Sequence, residues 1–130
     1  MTNRPQLRES KISPAAGQKM ATFHAETIRE IEHAILENAV VVVGMAQNPH
    51  VRNVRNALTK AKVAFTYLEY GSYLSEWRKR LAIKLWSGWP TFPQVFVRGT
   101  LIGGEDLTKL AIANHEIGPS AGESPVQATA

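Results

Sequence analysis

Apolar positions along the chain switch repeatedly between a period near 3.6 and short unbroken runs. Ile28, Ile31 and Ile35 recur at helical spacing, with Glu26, Arg29, Glu30 and Glu32 largely off that face. This predicts a helix over Thr22–Asn38, with Asn38 as a C-terminal stop. The next run, Ala39–Gly44, carries four consecutive β-branched valines and has no polar face, which predicts a central strand covered on both sides. Val51, Val54, Ala57, Leu58 and Ala61 then form the stripe of a helix over Pro49–Lys62. Ala64–Tyr70 reads as a second strand. Strand, helix and strand at this spacing form a βαβ unit, so the two strands should be parallel.

A third helix is predicted over Tyr73–Leu85, with Leu74, Trp77, Leu81 and Leu85 as its apolar stripe. Gln94–Val97 and Thr100–Ile102 are two short strands, and Arg98-Gly99 between them signals a tight hairpin. A last helix spans Glu105–Ala113. The order is α-β-α-β-α-β-β-α. A parallel pair followed by an antiparallel hairpin, flanked by helices, is an α/β arrangement of the thioredoxin-like kind, with a four-stranded mixed sheet. Residues 1–20 and 117–130 lack periodicity and are rich in polar residues, Pro and Gly, so they are expected to be flexible tails around a domain at 21–116.

The bulk composition narrows the function. Within these 130 residues, 44% are hydrophobic and 20% charged, a globular balance. There is no cysteine. Disulfides, thiolate catalysis and cysteine-held metals are therefore excluded from this sequence, and a cytoplasmic setting is expected. No apolar run approaches the roughly 18 residues of a membrane span. The net charge of +4 comes without an aromatic–basic platform, so nucleic acid is not the expected partner. His24, His33, His50 and His115 show no metal-ligand spacing, and no metal is expected.

The stretch from Lys84 to Leu107 resembles the second half of a glutaredoxin, most closely of the monothiol class. It carries Trp89-Pro90-Thr91-Phe92-Pro93-Gln94, then the hairpin, then Gly103-Gly104-Glu105-Asp106. The resemblance implies a cis Phe92–Pro93 bond, with the main chain of Phe92 pairing with the cysteine of glutathione like an added strand. Base rates alone would favour a trans bond there. It also implies that Gly103 and Gly104 allow close approach of a ligand. The amides of Glu105 and Asp106 would then receive the γ-glutamyl carboxylate, and the Asp106 side chain its ammonium. Without the Thr-x-Pro segment, the Gly-Gly stretch would read as an ordinary tight turn. Arg80 and Lys84 fall where such proteins place cations for the glycyl carboxylate. Arg78 and Lys79 read as a solvated face, and Trp77, Trp86 and Trp89 as packing residues.

The departure lies in Asn48-Pro49-His50-Val51. It falls where the resemblance would put Cys-Pro-x-Cys or Cys-Gly-Phe-Ser. The nucleophile position is Asn48 and the resolving position Val51, while Met45 occupies the place of a lysine common in the family. Family activity is glutathione-dependent thiol–disulfide exchange, and its monothiol members commonly hold an iron–sulfur cluster through that cysteine and glutathione. Neither is expected without the thiol. Asn48-Pro49 reads instead as an N-cap followed by Pro at the first helical position. The expectation is a non-catalytic module of redox or iron–sulfur ancestry that binds glutathione or a related thiol. Two alternatives remain: a protein-interaction domain holding an extended peptide in the same groove, and an enzyme of altered chemistry using His50. No orienting carboxylate for His50 is visible in the local sequence.

Overall fold

The computed structural model describes residues 4–119. Residues 1–3 and 120–130, to which much of the flexible-tail expectation applies, lie outside the described residues. A 3₁₀ turn at Glu9–Lys11 and the helix α1, Pro14–Thr22, precede the predicted elements. This corrects the reading of residues 1–20 as lacking regular structure. Ser13 caps α1 by accepting from the Ala16 amide, and Pro14 supplies the first turn.

The first predicted helix forms as α2, Ala25–Glu37. It begins three residues late because His24 adopts a left-handed conformation, φ 47°. Ile31 is fully buried, and Ile28 and Ile35 pack partly buried against the core. The β-branched run forms β1, Val40–Gly44, buried at every position. It is followed by α3, Pro49–Lys60, and β2, Thr66–Glu69. The helix α4 spans Trp77–Ser87. The hairpin strands are β3, Gln94–Val97, and β4, Thr100–Gly103, and α5 spans Glu105–Ala113.

The sheet order is β2-β1-β3-β4. β1 runs parallel to β2 and antiparallel to β3, and β3 antiparallel to β4. Arg98 (φ 48°) and Gly99 (φ 81°) are both left-handed, as a two-residue hairpin requires. Val41, Val42, Val43, Val54, Leu58 and Val95 are at most marginally exposed and form the centre of the core. Ile117 is also buried in it, so the folded unit extends past the expected boundary at 116.

The stripe assigned to α4 faces the wrong way in the sequence reading. Leu74, Trp77 and Leu85 are 95%, 58% and 66% exposed, whereas Arg80, Ala82 and Ile83 face inward. The helix starts four residues later than its pattern suggests, after a loop closed by a Ser72–Ser75 bridge. That delay rotates a different face onto the sheet.

At Gly44 the backbone of β1 lies close against Val51 of α3 and Tyr67 of β2. A Cβ there would sit 2.7 Å from Val51 Cγ1 and 2.9 Å from Tyr67 Cε1. Overpacking of this kind costs about 1–3 kcal/mol. Gly44→Ala should therefore lower the denaturant midpoint without changing the slope of the transition. A variant as stable as the parent would contradict this packing.

Candidate functional site

Three segments meet beside the C-terminal end of β1. The first is the N-terminus of α3. Asn48 is extended (φ −96°, ψ 117°), and its Oδ1 accepts from the amides of His50 (2.9 Å) and Val51 (3.2 Å). The side chain thus satisfies two of the helix's free donors. With the amides occupied, this helix end has little left to offer an anion.

The second segment is the loop Trp89–Pro93. Gln94 is fully buried, and its Nε2 donates to the carbonyls of Trp89 (3.0 Å) and, more weakly, Thr91 (3.4 Å). One side chain thereby holds the loop from inside. The Phe92–Pro93 peptide is cis. The main-chain N–H and C=O of Phe92 find no hydrogen-bond partner among the described residues. Trp89 Nε1 is likewise buried and unpartnered among them. Lys84 Nζ lies 5.7 Å from the centre of the Phe92 ring.

The third segment is the start of α5. Gly103 takes φ 123°, a conformation that L side chains rarely adopt. A Cβ at Gly104 would lie 3.4 Å from the Pro93 carbonyl and 3.6 Å from Trp89 Nε1, so the glycine keeps the two walls close. No side chain caps the first amides of α5, unlike those of α3. Glu105 reaches back instead. Its Oε1 lies 2.6 Å from His50 Nδ1, and its Oε2 accepts from Lys109 Nζ at 2.6 Å. The Lys109 ammonium, followed by the His50 ring, holds the Glu105 carboxyl down at about 2, against a partial burial that works the other way.

These segments enclose an open groove of about 340 Å³. Of the residues expected from sequence, Thr91, Phe92, Pro93, Gly104, Glu105 and Asp106 line it. Lys84 approaches from α4, and Gly103 shapes the turn behind it. His50 and Trp89 line it as well. From sequence, Trp89 reads only as packing, and His50 as the centre of one alternative without a partner; that carboxylate partner lies 55 residues away. No local sequence signal could have found that pair.

A glutaredoxin family model matches residues 40–102. A glutaredoxin-like protein of Dictyostelium discoideum is 58% identical over 86 residues, which cover 66% of this chain and 70% of that protein. This chain belongs to the glutaredoxin family. Monothiol glutaredoxin-S17 of Arabidopsis thaliana is 45% identical over 53 residues, 39% of this chain but only 10% of that protein. The buckwheat glutaredoxin–glutathione complex has the same fold, with a TM-score of 0.61 at 19% identity, covering 71% of this chain and 84% of that one. The fold is therefore the thioredoxin-like glutaredoxin fold.

One glutaredoxin-like expectation needs correcting. Arg80 is not a groove cation. It is 7% exposed, and its Nη1 donates to the carbonyls of Tyr70 (3.0 Å) and Ser75 (2.5 Å). The late start of α4 turns it inward, where it braces the loop after β2. Hydrogen bonds from a charged donor contribute about 1.5–3 kcal/mol. Arg80→Ala should therefore destabilise the fold by about that much in chemical denaturation. An unchanged stability would return Arg80 to the surface.

An iron–sulfur cluster, which the resemblance would imply only for a chain bearing the cysteine, does not fit this donor set. The carboxamide at position 48 is engaged in capping, and no thiolate replaces it. Among the described residues, no group of three or more His, Cys, Asp and Glu side chains is placed to hold a metal ion. None of their helices is long and apolar enough to cross a membrane.

The depressed Glu105 titration has a stability consequence. A carboxyl whose folded value lies near 2, below its ordinary 4.5, adds stability that is complete above the ordinary value and disappears as pH falls through the folded one. Glu105→Gln should be less stable than the parent at neutral pH. The difference should shrink from about pH 4.5 downward and vanish near pH 2. Thermal midpoints of both proteins across this range test it; a pH-independent difference would contradict the ion-pair account.

Proposed function

We propose that this chain is a glutathione-binding module, or a binder of closely related thiol peptides, that performs no thiol–disulfide exchange of its own. The observation that carries the reading is the set of unpaired groups on the groove lining: the Phe92 main chain, the first amides of α5 and Trp89 Nε1. Buried or half-buried donors and acceptors without partners are costly, and a peptide ligand would supply those partners. The cysteinyl unit of glutathione would pair with Phe92. Its γ-glutamyl carboxylate would meet the α5 amides, and its ammonium the Asp106 carboxylate. Lys84 would be the remaining cation for the glycyl carboxylate. Buckwheat glutaredoxin, which shares the fold, is seen in complex with glutathione.

Absence of a thiol removes exchange chemistry at its root, because a thiolate must attack. A cytoplasmic setting belongs to the same proposal, since reduced glutathione is maintained there. The unpaired Phe92 main chain equally favours an extended peptide segment of a partner protein, which is the second reading.

Titration with reduced glutathione, followed by amide resonances, tests the reading. Shifts should concentrate at Phe92, Gly104 and Asp106. Asp106→Ala and Lys84→Ala should each weaken binding about three- to tenfold, a modest loss because Asp106 is exposed and Lys84 only half-buried. Silence at these amides, with shifts on adding an extended peptide lacking a thiol, would favour the second reading.

A further inference from the structure

His50 and Glu105 form a dyad at the mouth of the groove that no thiol-exchange scheme uses. Glu105 is ionised at neutral pH and takes His50 Nδ1 at 2.6 Å. A carboxylate on Nδ1 fixes the proton there and leaves Nε2 as the basic nitrogen. The His50 side chain is 66% exposed and that of Glu105 13%, so the carboxylate is set in the wall while the ring reaches out of it. The other wall is Thr91–Pro93, where the cysteinyl unit of the ligand is placed by the reading above. At the α3 end, Asn48 has already consumed the amides of His50 and Val51. The imidazole is therefore the group at this end of the groove that can receive a proton.

We infer that this groove activates the ligand's own thiol: His50 Nε2 takes the proton from the sulfur of bound glutathione, Glu105 positions and charge-balances the ring, and the thiolate attacks a soft carbon electrophile. The inference rests on the glutathione-binding reading. In the step, an S–C bond forms as the bond from carbon to its leaving group breaks. The leaving group departs with the electron pair, and the proton passes from His50 to solvent. No oxidant or reductant is needed. The charged groups about His50 are Glu105 against its ring, Asp106 on the same groove lining, and Lys109 on the other oxygen of Glu105.

The full chain with reduced glutathione and 1-chloro-2,4-dinitrobenzene as probe electrophile tests this, with glutathione affinity measured separately by calorimetry. A general base contributes about 10²–10⁴-fold, so bound glutathione should be conjugated at least about tenfold faster than the free tripeptide near pH 7. His50→Gln should bring the rate back to that of free glutathione while affinity changes less than about threefold, since an exposed side chain is replaced without loss of the binding groups. Glu105→Gln should lose most of the rate while affinity is retained, and the conservative Glu105→Asp should recover part of it, because a carboxylate on Nδ1 orients the ring. A merely structural Glu105 would show no rescue of the rate by Glu105→Asp. Normal binding without rate enhancement, or an enhancement that survives His50→Gln, overturns the inference and leaves the binding reading standing. Calorimetry that detects no glutathione binding overturns both.

Discussion

The carboxamide of Asn48 determines what the rest of the site can be. By accepting from the amides of His50 and Val51, it starts α3 cleanly after β1. It also occupies the donors that would otherwise hold an anion at this junction. In a thiol-bearing glutaredoxin the same helix end would favour a thiolate. Here the positive end of α3 is neutralised by a neutral acceptor, and the unsatisfied donors of the site have moved to the start of α5, where Gly104 provides no side-chain cap. The fold is kept while its electrostatic focus shifts from the start of α3 to the start of α5.

That shift is stitched together by one long-range link. Glu105 joins α5 to α3 through His50, and to its own next turn through Lys109. Gln94 performs the equivalent task for the loop, holding its carbonyls from within the core. The groove between them is shaped by glycine on one side and by the Thr91–Pro93 main chain on the other. The shape of such a surface suits an extended peptide backbone with charged ends, as the proposed function requires. Arg80 takes no part in it, because its guanidinium is committed to Tyr70 and Ser75.

Most of the architecture could be read from the chain. The Val40–Val43 run, the α3 stripe and the Arg98-Gly99 turn each have a single physical solution, and the sheet follows from them. The groove's main-chain portion was legible too, because Thr91–Pro93 and Gly103–Asp106 act through local backbone geometry. What failed depended on rotation or distance. The face of α4 turned on where the helix begins, so Leu74, Trp77 and Leu85 were read as inward and Arg80 as outward. The helical turn at Pro14 was hidden in a segment without apolar periodicity. His50 and Glu105 meet only because the fold brings two helix starts together.

The central claim is that a glutathione groove survives around a nucleophile position converted to a cap. Replacing Asn48 by cysteine tests it in one variant, by following mixed-disulfide formation with oxidised glutathione against a cysteine placed at the helix end residue Asn114. The account predicts that Asn48→Cys gives a thiol more acidic than the free value of about 8.5, since it regains the α3 amides, and that it reacts faster than the control. A thiol that titrates like an ordinary one and reacts no faster than the control would contradict the claim.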